Sequence, residues 1–245
     1  MTDEIIPYYI GYDRTEHAAY EVCRWSMARR STLPVHSIKL DQSALRRNGL
    51  YRRAPESNSM LDSFDHKPFS TEFSFTRFLV PALAQYDGWA LFTDCDFLWL
   101  NSATKLWQLR DDKYAVMVVK HDYRPTETSK MQGQAQEVYP RKNWSSLILW
   151  NCAHPANKLL TVDAVNIEPG SWLHGFGWLK EGEIGEIPPS WNYLEGHSKG
   201  VEINALHYTR GGPWFSECMT VDYADLWLEE ERVMRNRAGA ASNEN

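Results

Sequence analysis

The sequence lacks an apolar run close to the roughly 20 residues that a helix needs to cross a bilayer, so we expect no transmembrane segment. Its first residues, MTDEIIPYYIGYD, contain neither the basic stretch nor the apolar stretch of a secretory signal. We therefore expect a cytoplasmic protein.

Positive charge is scarce as well. Lys and Arg total 26 against 32 Asp and Glu, which gives a net charge of −6. The sequence pI is about 5.8. Domains that bind nucleic acid are usually basic, so we expect no nucleic-acid partner.

The chain has few cysteines, and no two of them are close enough to form a CxxC pair. This spacing argues against a zinc ribbon and against a dithiol redox site. The chain also does not resemble the short secreted domains that disulfides stabilise. We therefore expect reduced, buried thiols at Cys23, Cys95, Cys152 and Cys218.

Several familiar catalytic signatures are missing too. The sequence has no GxSxG, HExxH or Walker A motif, and no convincing GxGxxG. Their absence argues against an α/β-hydrolase, a zinc protease, a P-loop enzyme and a Rossmann dehydrogenase.

What the sequence does contain is an alternation of strand-like and helix-like segments. Residues 5–13 and 35–40 are predicted strands, and Thr15 is the predicted cap of the helix between them. This order is typical of a βαβ unit with a parallel sheet. We predict an α/β fold in which helices flank a mostly parallel central sheet. It forms one domain over residues 1–237, followed by a frayed tail at 238–245.

The rest of the chain predicts further elements of the same kind. Residues 41–70 are polar and irregular, and the helix predicted over 70–86 is expected to break at Pro81. Residues 89–100 are the most apolar run and predict a central strand interrupted by two aspartates. Other predicted elements are strands at 114–120, 145–151 and 201–208, short helices after Ser102 and from Pro155, and an amphipathic helix over 221–237.

The two aspartates of that central strand, Asp94 and Asp96, form the sharpest motif. They flank Cys95 in an otherwise apolar segment, where a buried carboxylate is costly unless it is paired or binds a cation. Carboxylate oxygens suit Mg²⁺ or Mn²⁺, and ligands of open α/β sheets bind beyond the carboxyl ends of the strands. The alternative is an ordinary turn at a strand end, capped by an aspartate.

A second motif, HYTRGGPW at residues 207–214, follows another apolar strand. Gly211 and Gly212 would let the backbone approach a phosphate closely. His207 offers an imidazole ligand to the same cation. The alternative is a turn with a surface histidine.

Together these motifs resemble the retaining glycosyltransferases of family 8. That family has a strand ending in DxD, a later strand with an N-[SA]-G-like segment, and HxxGxxKPW near its C-terminus. The similar stretches here are FTDCDFLW, NWSSLILWN and HYTRGGPW, supported by FSFTRFLVPAL and SWNYL. The resemblance extends over residues 5–215. It implies a GT-A fold and metal-dependent transfer of a hexose from an NDP-sugar, usually UDP-linked, to a hydroxyl acceptor with retention.

The resemblance also implies roles for individual residues. Asp94, Asp96 and His207 would bind Mn²⁺ or Mg²⁺, which would clamp the donor diphosphate and stabilise the departing nucleotide. Arg77 would lie near the donor sugar and its phosphates. The implied catalytic set is completed by Asn143 and Asn192, which would be polar contacts near the transferred sugar.

The remaining implied contacts belong to the donor. Tyr12 would stack on the base and Asp13 would meet the base or the ribose. The backbone of the paired glycines, Gly211 and Gly212, would approach the diphosphate. The family's lysine is missing from HYTRGGPW, and we expect Arg210 to replace its charge. We expect Trp214 to stack on a sugar ring.

Other activities stay open. A sugar-1-phosphate nucleotidyltransferase has a related sheet and metal carboxylates, although residues 11–17, GYDRTEH, fit its Gly-rich loop poorly. A non-catalytic nucleotide- or sugar-binding protein of the same fold would not need the three metal ligands together. A hydrolase would release the donor sugar without an acceptor product. We expect the acceptor, a saccharide or glycoconjugate, to be selected by residues 121–142 and 168–200.

Overall fold

A computed structural model describes residues 4–53, 71–122 and 141–242. Within these ranges the chain forms a six-stranded central sheet and a smaller sheet of three strands. The strands are β1 Ile6–Gly11, β2 Val35–Leu40, β3 Trp89–Thr93, β4 Phe97–Trp99, β5 Val116–Val118, β6 Leu147–Asn151, β7 Ile184–Glu186, β8 Tyr193–Leu194 and β9 Ala205–His207. The α-helices are α1 His17–Arg30, α2 Gln42–Arg47, α3 Val80–Leu83, α4 Ala103–Trp107, α5 Val162–Ile167, α6 Gly170–His174 and α7 Ala224–Ser242.

The central sheet has the strand order β2-β1-β3-β6-β5-β7. Strand β1 pairs in parallel with β2 and β3, and β5 pairs in parallel with β7, whereas β6 runs antiparallel to both of its neighbours. Helices cover the sheet, so its middle strands are buried on both faces and have continuous apolar sequences. The predicted α/β fold with a mostly parallel central sheet is confirmed.

The apolar run at residues 89–100 is two strands, not one. Strand β3 ends at Thr93, a turn follows through Asp94–Asp96, and β4 then enters the smaller sheet between Phe97 and Trp99. There β4 pairs antiparallel with β9. The prediction of a single interrupted strand was wrong because the pairing with β9, distant in sequence, decides where the second half lies.

Two predicted helix signals act differently in the structure. Thr15 does not cap α1. The N-cap residue of α1 is Glu16, which makes no side-chain capping bond, and Asp13 caps the preceding 3₁₀ turn by accepting from the Thr15 N–H at 2.9 Å. Pro81 does not break a helix but lies in the first turn of α3, directly after a 3₁₀ turn at Thr76–Leu79. A proline is tolerated there because the first turn of a helix needs no N–H donor.

Other boundaries differ as well. The segment predicted to be irregular contains α2, which Asp41 caps by accepting from the Ala44 N–H; its residues 54–70 lie outside the described part of the chain. The helix predicted from Pro155 is a 3₁₀ turn at Pro155–Leu159 followed by α5. Helix α7 continues past residue 237 to Ser242.

The core has a layer on each side of the central sheet and a third cluster beneath α7. Alternate residues of β3 divide between the first two layers: Leu91 packs with Trp99, and Phe92 packs with Trp150 on the opposite face. The third cluster packs Trp227 of α7 against Leu206 of β9. The four cysteines are buried thiols that form no disulfide, as predicted.

Candidate active site

The turn after β3 and the end of β9 meet at one edge of the central sheet. Register places His207 opposite Phe97, directly after Asp96. One ligand atom from each of Asp94, Asp96 and His207 lies within 4.8 Å of the others. The structure therefore brings together the three residues predicted as metal ligands, although His207 is more than 100 residues from the two aspartates in sequence.

His207 is held rigidly within this group. It is buried, and its ring stacks on Phe97 with centroids 4.4 Å apart. Its Nδ1 lies 2.8 Å from Oδ1 of Asn192, and its Nε2 lies 3.3 Å from Oδ2 of Asp96. One ring nitrogen is thus engaged by an amide and the other faces the carboxylates.

Arg77 and Asp94 form a buried ion pair at the same edge. The Arg77 Nη2 lies 2.9 Å from Oδ1 of Asp94, and Nη1 donates to the carbonyl of Ser145 at 2.8 Å. The guanidinium lies near the rings of Phe73 and Phe92. Arg77 therefore neutralises and orients one of the two aspartates, and the charge of the other has no such partner within the described ranges.

The donor set fits a divalent cation. Within the described part of the chain, the buried Oδ1 of Asp96 has no hydrogen-bond donor. His121, at the carboxyl end of β5, adds no positive charge, because burial and repulsion from His207 and His197 lower its pKa to about 3. A buried carboxylate oxygen without a donor, beside an imidazole nitrogen, is the hard and borderline ligand chemistry that Mn²⁺ or Mg²⁺ accepts.

The loop after β1 places Tyr12 and Asp13 in structural contacts. The Asp13 carboxylate accepts from the Thr15 N–H and, at 3.1 Å, from the Glu72 N–H, so it joins this loop to the turn before Arg77. The Lys39 ammonium lies 4.2 Å from the ring centroid of Tyr12. Their predicted contacts with base and ribose stay predictions.

The segment after β9 is folded against α7. The Arg210 guanidinium lies 3.3 Å from the buried carboxylate of Glu195. Gly211 has a φ of 99° and its N–H donates to the Tyr208 carbonyl. A Cβ at Gly212 would lie 2.2 Å from the Trp214 ring, so only glycine leaves room for that indole.

Trp214 in turn packs on the rings of Tyr208 and Trp227, with centroids 5.7 and 5.5 Å away. Its half-buried indole thus has a structural role in joining the segment to α7. Stacking of Trp214 on a sugar, and the approach of the glycines to a diphosphate, stay predictions.

Asn143 and Asn192 lie together behind His207. Asn143 has a φ of 63°, and its carbonyl accepts from the Ser146 hydroxyl at 2.7 Å. The Asn192 amide nitrogen donates to Ser146 Oγ at 2.9 Å and to the Asn143 carbonyl at 3.3 Å. Sequence reasoning missed Ser146, directly before β6, and His121, which follows β5; their signal is a polar residue beside an apolar strand at this edge of the sheet.

The segment 121–142, expected to select the acceptor, lies outside the described residues except at its two ends. Within the described residues, none of the helices has the length and apolar character needed to cross a membrane.

Comparisons with known proteins give one close relative and distant structural neighbours. No family model matches the sequence. Protein CDI of Arabidopsis thaliana is 51% identical over 228 residues, which cover 91% of this chain and 84% of the relative.

Two solved glycosyltransferases share the fold. The apo structure of the bifunctional glycosyltransferase WbbM superposes with a TM-score of 0.63 at 15% identity over 94% of this chain. This chain spans only half the length of WbbM, 50%. The galactosyltransferase LgtC, solved with donor and acceptor sugar analogs, has a TM-score of 0.55 at 12% identity, covering 93% of this chain and 96% of LgtC.

At these identities the structural neighbours show the fold alone, which is that of the GT-A glycosyltransferases. The identity to the plant protein is high and covers most of both chains. The chain therefore belongs to the family of Protein CDI and has a GT-A-like fold.

Proposed function

We propose that this protein is a metal-dependent glycosyltransferase that moves a hexose from an NDP-sugar, with UDP as the expected nucleotide, to a hydroxyl of a saccharide or glycoconjugate. The observation that carries the proposal is the convergence of Asp94, Asp96 and His207 at the carboxyl end of β3. Ligands of open α/β sheets bind at this edge. The resemblance of the sequence motifs to those of family 8 and the likeness to LgtC, a galactosyltransferase solved with donor and acceptor sugar analogs, support the same activity.

In this proposal Asp94, Asp96 and His207 hold Mn²⁺ or Mg²⁺. When bound, the cation supplies a Lewis acid for the donor diphosphate, where negative charge develops as the nucleotide departs. Arg77 keeps the Asp94 carboxylate in place through the 2.9 Å ion pair. Phe97 and Asn192 fix the plane and the direction of the His207 ring.

In this proposal the proton of the acceptor hydroxyl passes between the substrates and not to a protein side chain. In a front-face reaction with retention, the departing phosphate itself accepts the proton of the acceptor hydroxyl, so no protein base is required. His121 is neutral at physiological pH because its pKa is about 3, which makes it suited to a hydrogen bond with a sugar hydroxyl. Arg210 is the first basic residue after β9 in the sequence, and we propose that its guanidinium contacts the donor diphosphate.

The first test is thermal unfolding with a panel of nucleoside diphosphates and NDP-sugars, each with Mn²⁺ or with EDTA. A ligand at 100 times its Kd stabilises the folded protein by about 2.7 kcal/mol, which is readily measured. We expect a shift with UDP or one UDP-sugar that requires Mn²⁺. The absence of a shift with every nucleotide would contradict the proposal.

The second test identifies the reaction. Incubation of the stabilising donor with a panel of saccharides, followed by NMR of the product, should give a new glycosidic bond with the anomeric configuration of the donor. Binding without turnover would favour a non-catalytic nucleotide-binding protein. Release of pyrophosphate from a nucleoside triphosphate and a sugar phosphate would instead identify a nucleotidyltransferase.

A further inference from the structure

A buried chain of hydrogen bonds leads from the start of β6 to His207. Its members are almost fully shielded from solvent: Asn192 is 0% exposed, His207 2% and Ser146 3%. The bonds run from the Ser146 hydroxyl to the Asn143 carbonyl, from the Asn192 amide to both of them, and from Asn192 to His207. The hydrogen bonds that link these three side chains therefore include no water molecule.

The direction of each bond follows from the chemistry at one end. The Asn143 carbonyl can only accept, so the Ser146 hydroxyl donates to it, and the Ser146 oxygen is left to accept. The side-chain amide of Asn192 must then present its nitrogen to Ser146, 2.9 Å away. The amide oxygen therefore faces His207.

This orientation determines the tautomer of His207. An amide oxygen only accepts, so the Nδ1 at 2.8 Å must carry a hydrogen and donate it. A neutral ring has one hydrogen, which leaves Nε2 with a lone pair directed at Asp96, 3.3 Å away. A lone pair beside a carboxylate is repulsive unless a cation lies between them.

We propose that Asn192 is a positioning residue that selects the Nδ1–H tautomer of His207 and thereby reserves Nε2 for the cation. The assignment rests on the proposed metal site. In the opposite tautomer Nε2–H would donate to Asp96 and occupy both ligand atoms at once. Asn192 thus acts through His207, behind the ring, and not as a direct contact to the transferred sugar.

The tautomer is tested on the metal-free protein by two-dimensional ¹⁵N–¹H NMR of labelled histidine, in which the ring nitrogen that carries the hydrogen has a distinct shift. The protein has 8 histidines, and the resonance lost in His207→Gln assigns the one of interest. We expect a hydrogen on Nδ1 in the unaltered protein, whether or not Nε2 also takes one up toward Asp96 in the absence of a cation. A ring whose only hydrogen is on Nε2 would overturn the proposal.

The consequence for the metal is tested by Mn²⁺ titration followed by electron paramagnetic resonance. Loss of such an orienting partner typically weakens a metal site about 10- to 100-fold. Asn192→Leu should lose Mn²⁺ affinity by that factor and populate the Nε2–H tautomer. Asn192→Asp keeps an acceptor for Nδ1–H but loses the amide hydrogens that bond Ser146 and the Asn143 carbonyl, so this variant should retain more Mn²⁺ affinity than Asn192→Leu.

Asn166→Leu is the matched control. Asn166 is 1% exposed and donates to the carbonyls of Leu50 and Val162, away from the site. It should lose stability without a change in Mn²⁺ affinity or in the His207 spectrum. Equal Mn²⁺ affinity in Asn192→Leu and the unaltered protein would refute the positioning role. If the unaltered protein bound no Mn²⁺ although His207 were the Nδ1–H form, the metal proposal would fail and the tautomer assignment would stand.

Discussion

Glu230 and Asp96 are both poorly exposed carboxylates, and their surroundings are opposite. Glu230 on α7 receives bonds from Arg29 at 2.9 and 2.8 Å and from Arg30 at 2.5 Å, both on α1. Asp96 has Nε2 of His207 at 3.3 Å, and its Oδ1 has no hydrogen-bond donor among the described residues. The first carboxylate is satisfied by the chain itself, whereas the described residues leave an oxygen of the second without a donor.

The difference distinguishes a buried carboxylate that stabilises the fold from one that is available to bind a ligand. Removing a carboxylate from water is costly, and only close positive charges offset that cost. At Glu230 two guanidinium groups offset it, and the ion pairs join the C-terminal helix to α1. At Asp96 the described residues leave that cost in place, which is what the proposed cation site predicts.

Asp96→Asn should have the largest effect, and it should be on activity. Lewis-acid stabilisation is worth several kcal/mol and each increment of about 1.36 kcal/mol is a factor of ten, so kcat/KM should fall about 1,000-fold. The free energy of unfolding without metal should stay constant or rise, because a poorly satisfied charge is removed. Kinetics with Mn²⁺ and urea unfolding measure the two quantities. The exposed Asp163, changed to Asn, is the control; full activity in Asp96→Asn would exclude the metal site.

Glu230→Gln should have the converse effect, on stability and not on activity. Breaking a buried ion pair by removing one partner typically costs about 3–5 kcal/mol. Arg29 and Arg30 retain partial contact with water, with side chains 34% and 20% exposed, so we expect about 2–3 kcal/mol. Urea unfolding measures the loss.

The neighbouring Glu229 gives a matched control on the same helix. Its ion pair with Arg232 is exposed, with side chains 57% and 62% accessible. Glu229→Gln should therefore leave the unfolding curve unchanged. Equal losses in the two variants would show that helix charge, not the buried ion pair, supports α7.

The Glu230 contribution should also depend on pH. Burial raises the pKa of the Glu230 carboxyl, but the hydrogen bonds and charges of Arg30 and Arg29 outweigh burial and hold the pKa below its ordinary 4.5. A depressed pKa stabilises the folded state above the unfolded value and loses that stabilisation as pH falls through the folded one. The stability gap between the unaltered protein and Glu230→Gln should thus be constant above about pH 5 and shrink below about pH 4.5. A gap that widens on acidification would contradict this sign.

Much of this fold follows from local sequence patterns. Alternation over Val35–Leu40 predicted β2 to the residue, and the apolar strand before Asp94 predicted the edge of the sheet where the carboxylates lie. Helix boundaries were less predictable, since Pro81 is compatible with both a break and a first turn. The choice depends on what precedes it, here a 3₁₀ turn.

The residue types of the candidate site could be predicted from the sequence, but the hydrogen bonds and ion pairs between them could not. The motifs predicted Asp96 and His207, which the fold brings together, but the proposed role of Asn192 depends on which ring nitrogen it meets, and that is a tertiary contact. Arg77 was expected to meet the donor, whereas its closest charged partner is Asp94. Residues that support a ligand leave no pattern of their own in one sequence.

Tyr8→Phe should have the smallest of these effects. The Tyr8 hydroxyl lies beneath the Asp94–Asp96 turn, 2.5 Å from Thr93 Oγ1, 3.0 Å from Cys23 Sγ and 3.1 Å from Trp99 Nε1. This third polar cluster is uncharged, and the Tyr8 hydroxyl has hydrogen-bond partners within the protein. In that respect it is like Glu230 and unlike Asp96. Removing the hydroxyl leaves the Trp99 N–H without its acceptor and should cost about 1–2 kcal/mol of unfolding free energy.

The informative comparison is between this loss of unfolding free energy and the change in Mn²⁺ affinity of the same variant. The Tyr8 hydroxyl bonds to Cys23, Thr93 and Trp99 and to none of the three proposed ligands, so Mn²⁺ affinity should change less than about twofold. Loss of a partner behind His207 should instead change it about 10- to 100-fold. Urea unfolding and Mn²⁺ titration on one preparation measure both quantities. A large loss of affinity in Tyr8→Phe would show that the turn carrying Asp94 and Asp96 depends on the core beneath it, and that the two kinds of cluster are coupled.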